Sequence, residues 1–84
     1  MINQHFIPYQ RSLSEIAREI QKEWHNINYA ARPYLDAMRI MASVNDSYGL
    51  ADGKTIVLYF LANAGTWRGE AARRIKAELR EMTK

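Results

Sequence analysis

Residues 49–55, Gly-Leu-Ala-Asp-Gly-Lys-Thr, are the segment whose residue types come closest to a phosphate-binding loop. Such a loop follows the pattern G-x-x-x-x-G-K-[ST], in which glycine amides and the lysine hold phosphates at the start of a helix. Here the two glycines are one residue too close, and Tyr48 stands where the first glycine belongs. No apolar strand clearly precedes the segment. The pattern therefore favours a turn that leads into a helix, and we expect no cofactor.

Residues that could ligate a metal or act as nucleophiles are sparse. Asp46 and Asp52 are close in sequence, but aromatic and apolar side chains occupy the alternate positions where a calcium loop needs oxygen ligands. His5 and His25 have no ligand partners near them, and the chain contains no cysteine. Serine, threonine and carboxylate side chains fall at expected helix caps and on solvated helix faces. The sequence thus predicts no metal site and no catalytic residue, and we expect that the protein is not an enzyme.

Positive charge is concentrated in the last third of the chain. Residues 1–53 hold five basic and six acidic side chains, whereas residues 54–84 hold seven basic and three acidic ones. A basic segment of this kind is a candidate for contact with an anionic partner. The candidate nucleic-acid contacts lie on the side of the last predicted helix opposite its apolar stripe: Arg73, Lys76, Arg80 and Lys84.

Residues 60–79 have the outline of a helix-turn-helix, in which the second helix reads DNA. Two residues argue against that motif. Leu61 is bulky where the close helix crossing usually needs a small residue, and Glu70 places an anion on the side that would approach DNA. A small DNA-binding regulator that uses the C-terminal helix is therefore the alternative function.

Aromatic residues are abundant for a chain of 84 residues, and we expect some of them to remain near the surface. Exposed aromatic residues beside arginine are common anchors of protein interfaces. The candidate interaction residues are Tyr48, Trp67 and Arg68, which lie where the loop before the third predicted helix and the turn before the fourth could expose them. They lie at opposite ends of a predicted helix and would form one patch only if Tyr48 folds back. The first functional prediction is a non-enzymatic binding protein that acts by contact with an as yet unknown protein partner.

An unbroken apolar seam with a period of 3.5 residues runs from Leu13 to Met41 and predicts helix. Ser12 and Glu15 form a capping box at its start. One helix over residues 12–43 would be about 48 Å long, against an expected radius of gyration of about 12 Å, and Pro33 would cost about 3 kcal/mol in its interior. We therefore expect helices near 12–26 and 30–43, while one long kinked helix remains open. Trp24, in the middle of the seam, is expected to be buried.

A third helix is predicted near 55–64, apolar nearly all round and ending with Gly65 at the position after its C-cap. A fourth is predicted near 67–82, capped by Thr66, with Trp67 and Ala71 on its inner stripe. Pairs between Arg74 and the glutamates four residues away on each side are expected on its surface. The predicted fold class is all-α, a small three- to four-helix bundle around the apolar helix 55–64. Residues 1–11 are predicted to form an N-terminal arm, and residues 12–84 a single helical domain.

The third helix also bears on oligomeric state, because Leu58 and Ala62 point away from its expected core side. Three apolar stripes could enclose it in a four-helix monomer. If residues 12–43 formed one long helix, a second chain would be needed to complete the core. A homodimer is therefore predicted.

The longest apolar run covers residues 56–62, far short of the roughly 20 residues of a membrane span. The first residues show neither the basic region nor the apolar region of a secretory signal. These observations predict a cytoplasmic protein with no membrane partner.

Five segments from Pro33 onward form a distinctive series: 33–38 (PYLDAM), 46–49 (DSYG), 56–64 (IVLYFLANA), 66–70 (TWRGE) and 73–79 (RRIKAEL). In these segments the chain resembles a group of short bacteriophage and prophage proteins whose function is not established. The resemblance covers about 50 residues and implies a mobile-element context. The binding protein would then be a phage or prophage accessory factor in the host cytoplasm, including an inhibitor of a host system. The resemblance supplies no activity and no catalytic residue.

Overall fold

The computed structural model describes residues 10–49 and 51–84, apart from the side chain of Tyr48. These residues form four helices: α1 (Leu13–Glu23), α2 (Arg32–Met38), α3 (Gly53–Ala62) and α4 (Glu70–Met82). Two short strands, β1 (Ser47–Tyr48) and β2 (Ala51–Asp52), pair antiparallel just before α3. The prediction of a small, mostly helical domain is confirmed, and the hairpin was not predicted. The predicted arm lies outside the described residues except for Gln10 and Arg11.

Helix α1 begins at the predicted capping box. The Ser12 hydroxyl accepts from the Glu15 amide at 3.1 Å, and the Glu15 carboxylate accepts from the Ser12 amide at 2.8 Å. The amides of Leu13 and Ser14 have no acceptor within the helix, and they donate to backbone carbonyls that follow α2. The start of α1 is therefore satisfied by its own cap and by the chain after α2 together.

The apolar seam is divided between two helices, as predicted, and a long kinked helix is excluded. Helix α1 ends at Glu23, turns follow, and α2 begins at Arg32 with Pro33 in its first turn. Proline is tolerated there because the first helical amides have no intrahelical acceptor. Helix α2 ends at Met38, several residues before the predicted end at 43, and the amides of Ile40 and Met41 then donate to carbonyls three residues back instead of four.

Helix α3 has one buried and one exposed side. Asp52 caps it by accepting from the Thr55 amide at 2.8 Å. Gly53 is packed so closely that a Cβ there would lie 2.7 Å from the Ser43 carbonyl oxygen. Ile56, Val57 and Phe60 are buried, whereas Leu58, Tyr59 and Ala62 are exposed. The helix is thus not enclosed on all sides within the described chain. It ends at Ala62, and Gly65 does not adopt the left-handed conformation expected of a glycine C-cap.

Helix α4 begins at Glu70 rather than at the predicted Trp67. Gly69, with φ of 108°, is its N-cap, so Thr66 does not cap it. Trp67 lies in the preceding turn and stacks on Trp24, with ring centroids 5.5 Å apart. The buried stripe comprises Ala72, Ile75 and Leu79, and Ala72 takes the place predicted for Ala71.

Trp24 contacts two other aromatic rings, those of Phe60 and Trp67. It is 5% exposed, stacks on Trp67 and meets the edge of Phe60 at a centroid distance of 6.1 Å. Its predicted burial is confirmed. Since Phe60 belongs to α3 and Trp67 precedes α4, one side chain joins three parts of the fold.

An ion-pair cluster joins α1 to α4. The Arg11 guanidinium donates to Glu19 and to Glu78, each at 2.6 Å, and Arg74 donates to Glu19 at 2.7 Å. Arg74 therefore pairs with Glu19 of α1. The predicted pairs between Arg74 and the glutamates of its own helix are not formed. Arg74 and then Arg11 hold the pKa of Glu19 below its ordinary value by hydrogen bonding to its carboxylate.

None of the helices within residues 10–49 and 51–84 has the length and apolar character needed to cross a bilayer.

Candidate functional site

A cleft of about 540 Å³ lies between α4 and the turn that precedes it. Four cationic side chains line it, those of Arg68, Arg73, Lys76 and Arg80. The rest of the lining comes from glycine, alanine and Trp67, so the lining contains no acidic residue. We call the four cations and the space between them the basic cleft.

The helical repeat of α4 places three of these cations together. Side chains three and four residues apart share one side of a helix, so Arg73, Lys76 and Arg80 form one flank of α4. This flank borders the buried stripe. At about 100° per residue, the acidic residues of α4 project from the other flank: Glu70, Glu78 and Glu81. The flank that lines the cleft is therefore purely cationic.

The fourth cation comes from the turn. Trp67 is buried and Gly69 has a positive φ, a conformation that costs glycine little and most other residues more. Arg68, between them, is exposed and lines the cleft opposite the α4 flank. Two elements thus contribute charge to one recess.

Lys76 connects the two walls of the cleft. Its ammonium donates to the Trp67 carbonyl oxygen at 2.7 Å and lies 6.0 Å from the centroid of the Trp67 ring. Partial burial lowers the pKa of Lys76, and the nearby charges of Arg80 and Arg68 lower it further. These are like charges in close proximity, so an anion in the cleft would relieve their repulsion.

The three arginines of the cleft make no ion pair within residues 10–49 and 51–84. Each guanidinium carries five N–H donors in a planar fork that matches a phosphate or carboxylate. Arg11 and Arg74, by contrast, are engaged with glutamates. The cleft is therefore equipped to bind anions with groups that the fold itself does not use.

The structure brings together three of the four predicted nucleic-acid contacts, Arg73, Lys76 and Arg80. The fourth, Lys84, pairs with Glu81 at 3.1 Å and does not line the cleft. Arg68, predicted as a protein-contact residue, joins the cleft. The helix-turn-helix alternative places Arg68 near the start of the last helix, beside Arg73, and the sequence did not indicate that the two line one recess.

The predicted interaction residues do not form one surface. Trp67 is 4% exposed and lies against Trp24, so its ring is buried, as its predicted place on an inner stripe implies, and is not available as an exposed anchor. The side chain of Tyr48 lies outside the described part of the chain. Helices α3 and α4 follow one another, but residues 63–69 separate them, a longer connection than the three or four residues of a helix-turn-helix.

A second surface lies on the solvent side of α3. Leu58 is 46% exposed and Tyr59 is 53% exposed, and Ala62 lies beside them. The ring of Tyr59 contacts that of Tyr34 on α2, with centroids 5.5 Å apart. We call Leu58, Tyr59 and Ala62 the α3 outer face. It is an apolar strip on a helix whose other side is core.

The segment that resembles a phosphate loop uses its amides inside the protein. The Gly53 amide donates to the Asp46 carbonyl oxygen, that of Lys54 to the Val44 carbonyl oxygen, and that of Thr55 to the Asp52 side chain. These donors are the ones that a phosphate loop would direct at its ligand. Among the described residues, moreover, no three histidine or acidic side chains cluster as metal ligands.

Comparisons of the chain with protein-family models, with curated proteins and with solved structures find no match. What the basic cleft binds therefore has to follow from its own chemistry.

Proposed function

We propose that the protein is a small non-enzymatic binding protein that holds the phosphates of a nucleic acid in the basic cleft. The observation that carries this proposal is the convergence of Arg68, Arg73, Lys76 and Arg80 on one recess whose lining has no acidic residue. Nucleic acid is a polymer of regularly spaced phosphates, and each phosphate neutralised by lysine or arginine releases counterions. Several adjacent cations therefore add affinity for this ligand.

The arginines support a phosphate ligand more specifically than a general positive charge would. A guanidinium can donate two parallel hydrogen bonds to one phosphate, which a lysine ammonium cannot match geometrically. Three of the four cations of the cleft are arginines. They reach the cleft from a turn and from a helix, so that a bound strand would be contacted from two sides.

The test measures binding of a fluorescently labelled oligonucleotide by anisotropy across a series of salt concentrations. We expect the logarithm of the affinity to fall linearly with the logarithm of salt, and the Arg73→Ala and Arg80→Ala variants to bind more weakly with a shallower slope. Arg18→Ala is the matched control, because Arg18 is exposed on α1 away from the cleft. Absence of binding at low salt, or equal binding by the cleft variants and the wild type, contradicts the proposal.

A second candidate function, contact with protein, is favoured by the α3 outer face. Leu58 and Tyr59 leave about half of their surfaces in water on a helix of mostly apolar residues. A second copy of the chain would bury these side chains symmetrically, giving the predicted homodimer. In a phage or prophage setting, a host protein would be the alternative partner.

Light scattering coupled to size exclusion tests the homodimer. We expect a mass near twice the 9.8 kDa of one chain, and the mass of one chain for Leu58→Lys. Ala77→Lys is the control, since it places the same lysine on the exposed side of α4. A monomeric wild type at every concentration contradicts the homodimer, and capture from host lysate would then test a host partner.

A further inference from the structure

We infer that the basic cleft takes a single-stranded segment of nucleic acid rather than the side of a duplex. The inference rests on the proposed function and names its ligand more closely. It follows from two properties of the cleft, its shape and the spacing of its cations along α4, while the state of its aromatic residue bears on how the strand is held.

The shape of the cleft favours a flexible strand. Its volume of about 540 Å³ lies within the range of about 300–1,000 Å³ found for sites that take small ligands. One or two nucleotides match that volume. A helix that reads a duplex must project into a groove about 12 Å wide. The cationic flank of α4 instead faces a recess whose opposite wall is the turn that carries Arg68.

The spacing of the cations leads to the same ligand. Arg73 and Arg80 are seven residues apart on α4, a rise of about 10 Å, with Lys76 between them and Arg68 across the recess. A duplex presents its phosphates at fixed positions on a convex surface. A single strand can rotate about its backbone bonds and bring successive phosphates to cations on both walls.

The aromatic residue indicates how the strand is held. Proteins that bind single strands commonly stack bases on exposed rings. The ring of Trp67 lies flat against Trp24 at an interplanar angle of 10°, and Lys76 approaches it at 6.0 Å. Trp67 is thus 4% exposed and offers no platform for a base. Helix α4 also has no asparagine or glutamine to read an adenine edge. The strand is therefore held mainly by its phosphates.

The experiment compares labelled DNA 12-mers at one low salt concentration: a single strand, the same strand in a blunt duplex, and each with and without a 5′-phosphate. We expect the single strand to bind at least tenfold more tightly than the duplex, with no requirement for the 5′-phosphate. Homopolymers of thymidine and of cytidine should bind within a few-fold of each other. Arg68→Ala should weaken single-strand binding at least as much as Arg80→Ala does, with Arg18→Ala as the control and circular dichroism as the check on folding.

Equal or tighter binding of the duplex overturns this inference while the proposed function survives. Binding that depends on the 5′-phosphate also overturns it and assigns the cleft to a terminal phosphate. A polyglutamate peptide that binds as tightly as the strand overturns it in favour of an acidic protein partner. If no nucleic acid binds at all, the proposed function fails as well. If Arg68→Ala binds the single strand as tightly as the wild type does, the turn does not contribute to the site, and the inference is wrong.

Discussion

The indole rings of Trp24 and Trp67 stack face to face, with centroids 5.5 Å apart and an angle of 10° between their planes. Trp24 follows α1, and Trp67 lies in the turn before α4. Stacked aromatic pairs stabilise a fold by about 0.5–1.5 kcal/mol beyond the burial of their surface. The contact also anchors one wall of the basic cleft, because Arg68 is the next residue after the buried Trp67.

Replacing Trp24 with alanine should severely destabilise the protein. The ring is 5% exposed and contacts both Phe60 and Trp67, so its removal leaves a cavity at the junction of three elements. We expect Trp24→Ala to lower the free energy of unfolding by about 3–5 kcal/mol, measured by denaturant titration with circular dichroism detection. Tyr29→Ala, at a residue that is 86% exposed, is the control and should change stability little. A Trp24→Ala variant that unfolds with the wild-type midpoint would disprove the central role of this ring.

Acidification should weaken the cluster around Glu19. Arg74 and Arg11 hold the pKa of this carboxylate below its ordinary value of 4.5. A carboxylate with a lowered pKa in the folded state contributes stability above the unfolded pKa, and this contribution is lost as the pH falls through the folded pKa. Wild-type stability should therefore decrease below about pH 4.5.

The variant Glu19→Gln tests this contribution. It should be less stable than the wild type at pH 7 and should lose less stability between pH 5 and pH 3, as measured by thermal or urea unfolding at each pH. Glu23→Gln serves as the control, since Glu23 is exposed near the end of the same helix and pairs with no basic residue in the described chain. Parallel pH profiles for the wild type and Glu19→Gln would contradict the assignment.

Gly53 should not tolerate a larger residue. A Cβ at this position would lie 2.7 Å from both the Ser43 carbonyl oxygen and the Val44 Cα, which are backbone atoms and cannot rotate away. We expect Gly53→Ala to destabilise the protein by about 1–3 kcal/mol, as overpacked interiors do. Gly65→Ala is the control, because no atom lies within 4 Å of a Cβ there. Equal denaturation midpoints for the two variants would show that the chain around Ser43 yields easily.

The side chain of Asn28 should contribute to the free energy of unfolding through two hydrogen bonds. Its side-chain amide donates to the Asn63 carbonyl oxygen at 3.1 Å and accepts from the Ala30 amide at 3.2 Å. Asn28→Ala removes both bonds, at about 1 kcal/mol for each, whereas Asn26→Ala changes an exposed residue and should be nearly neutral. Hydrogen exchange at the end of α3 should accelerate in Asn28→Ala alone. Unaltered exchange there would mean that this turn does not hold the helix end.

The elements that sequence reasoning predicted well are those whose causes are local. The capping box needs only Ser12 and Glu15, three residues apart, and it is present as predicted. Pro33 lies in the first turn of α2, where a proline is tolerated, and not in a helix interior, whatever the rest of the chain does. The common side of Arg73, Lys76 and Arg80 likewise follows from the helical repeat alone.

The features that sequence reasoning missed depend on residues far apart in the chain. Helix α4 begins three residues later than predicted because Trp67 is held in the turn by Trp24. Arg11 is fixed by Glu78, 67 residues away, and no local pattern indicates this pair. The place of Arg68 in the cleft likewise depends on Trp24, which holds the preceding residue, Trp67, in the turn.

The segregation of charge on α4 has a kinetic consequence. Glu19 and Glu78 neutralise Arg11 and Arg74 on one flank, while the cations of the cleft stand uncompensated on the other. The cleft is therefore a patch of uncompensated positive charge beside a flank whose charges are paired. The field of such a patch turns an approaching polyanion before the molecules touch and raises the rate of association. The Debye length is about 10 Å at 0.1 M salt and grows on dilution. The electric field of the cleft therefore acts over a longer distance in dilute buffer. A polyanion is then oriented toward the cleft before the two molecules make contact.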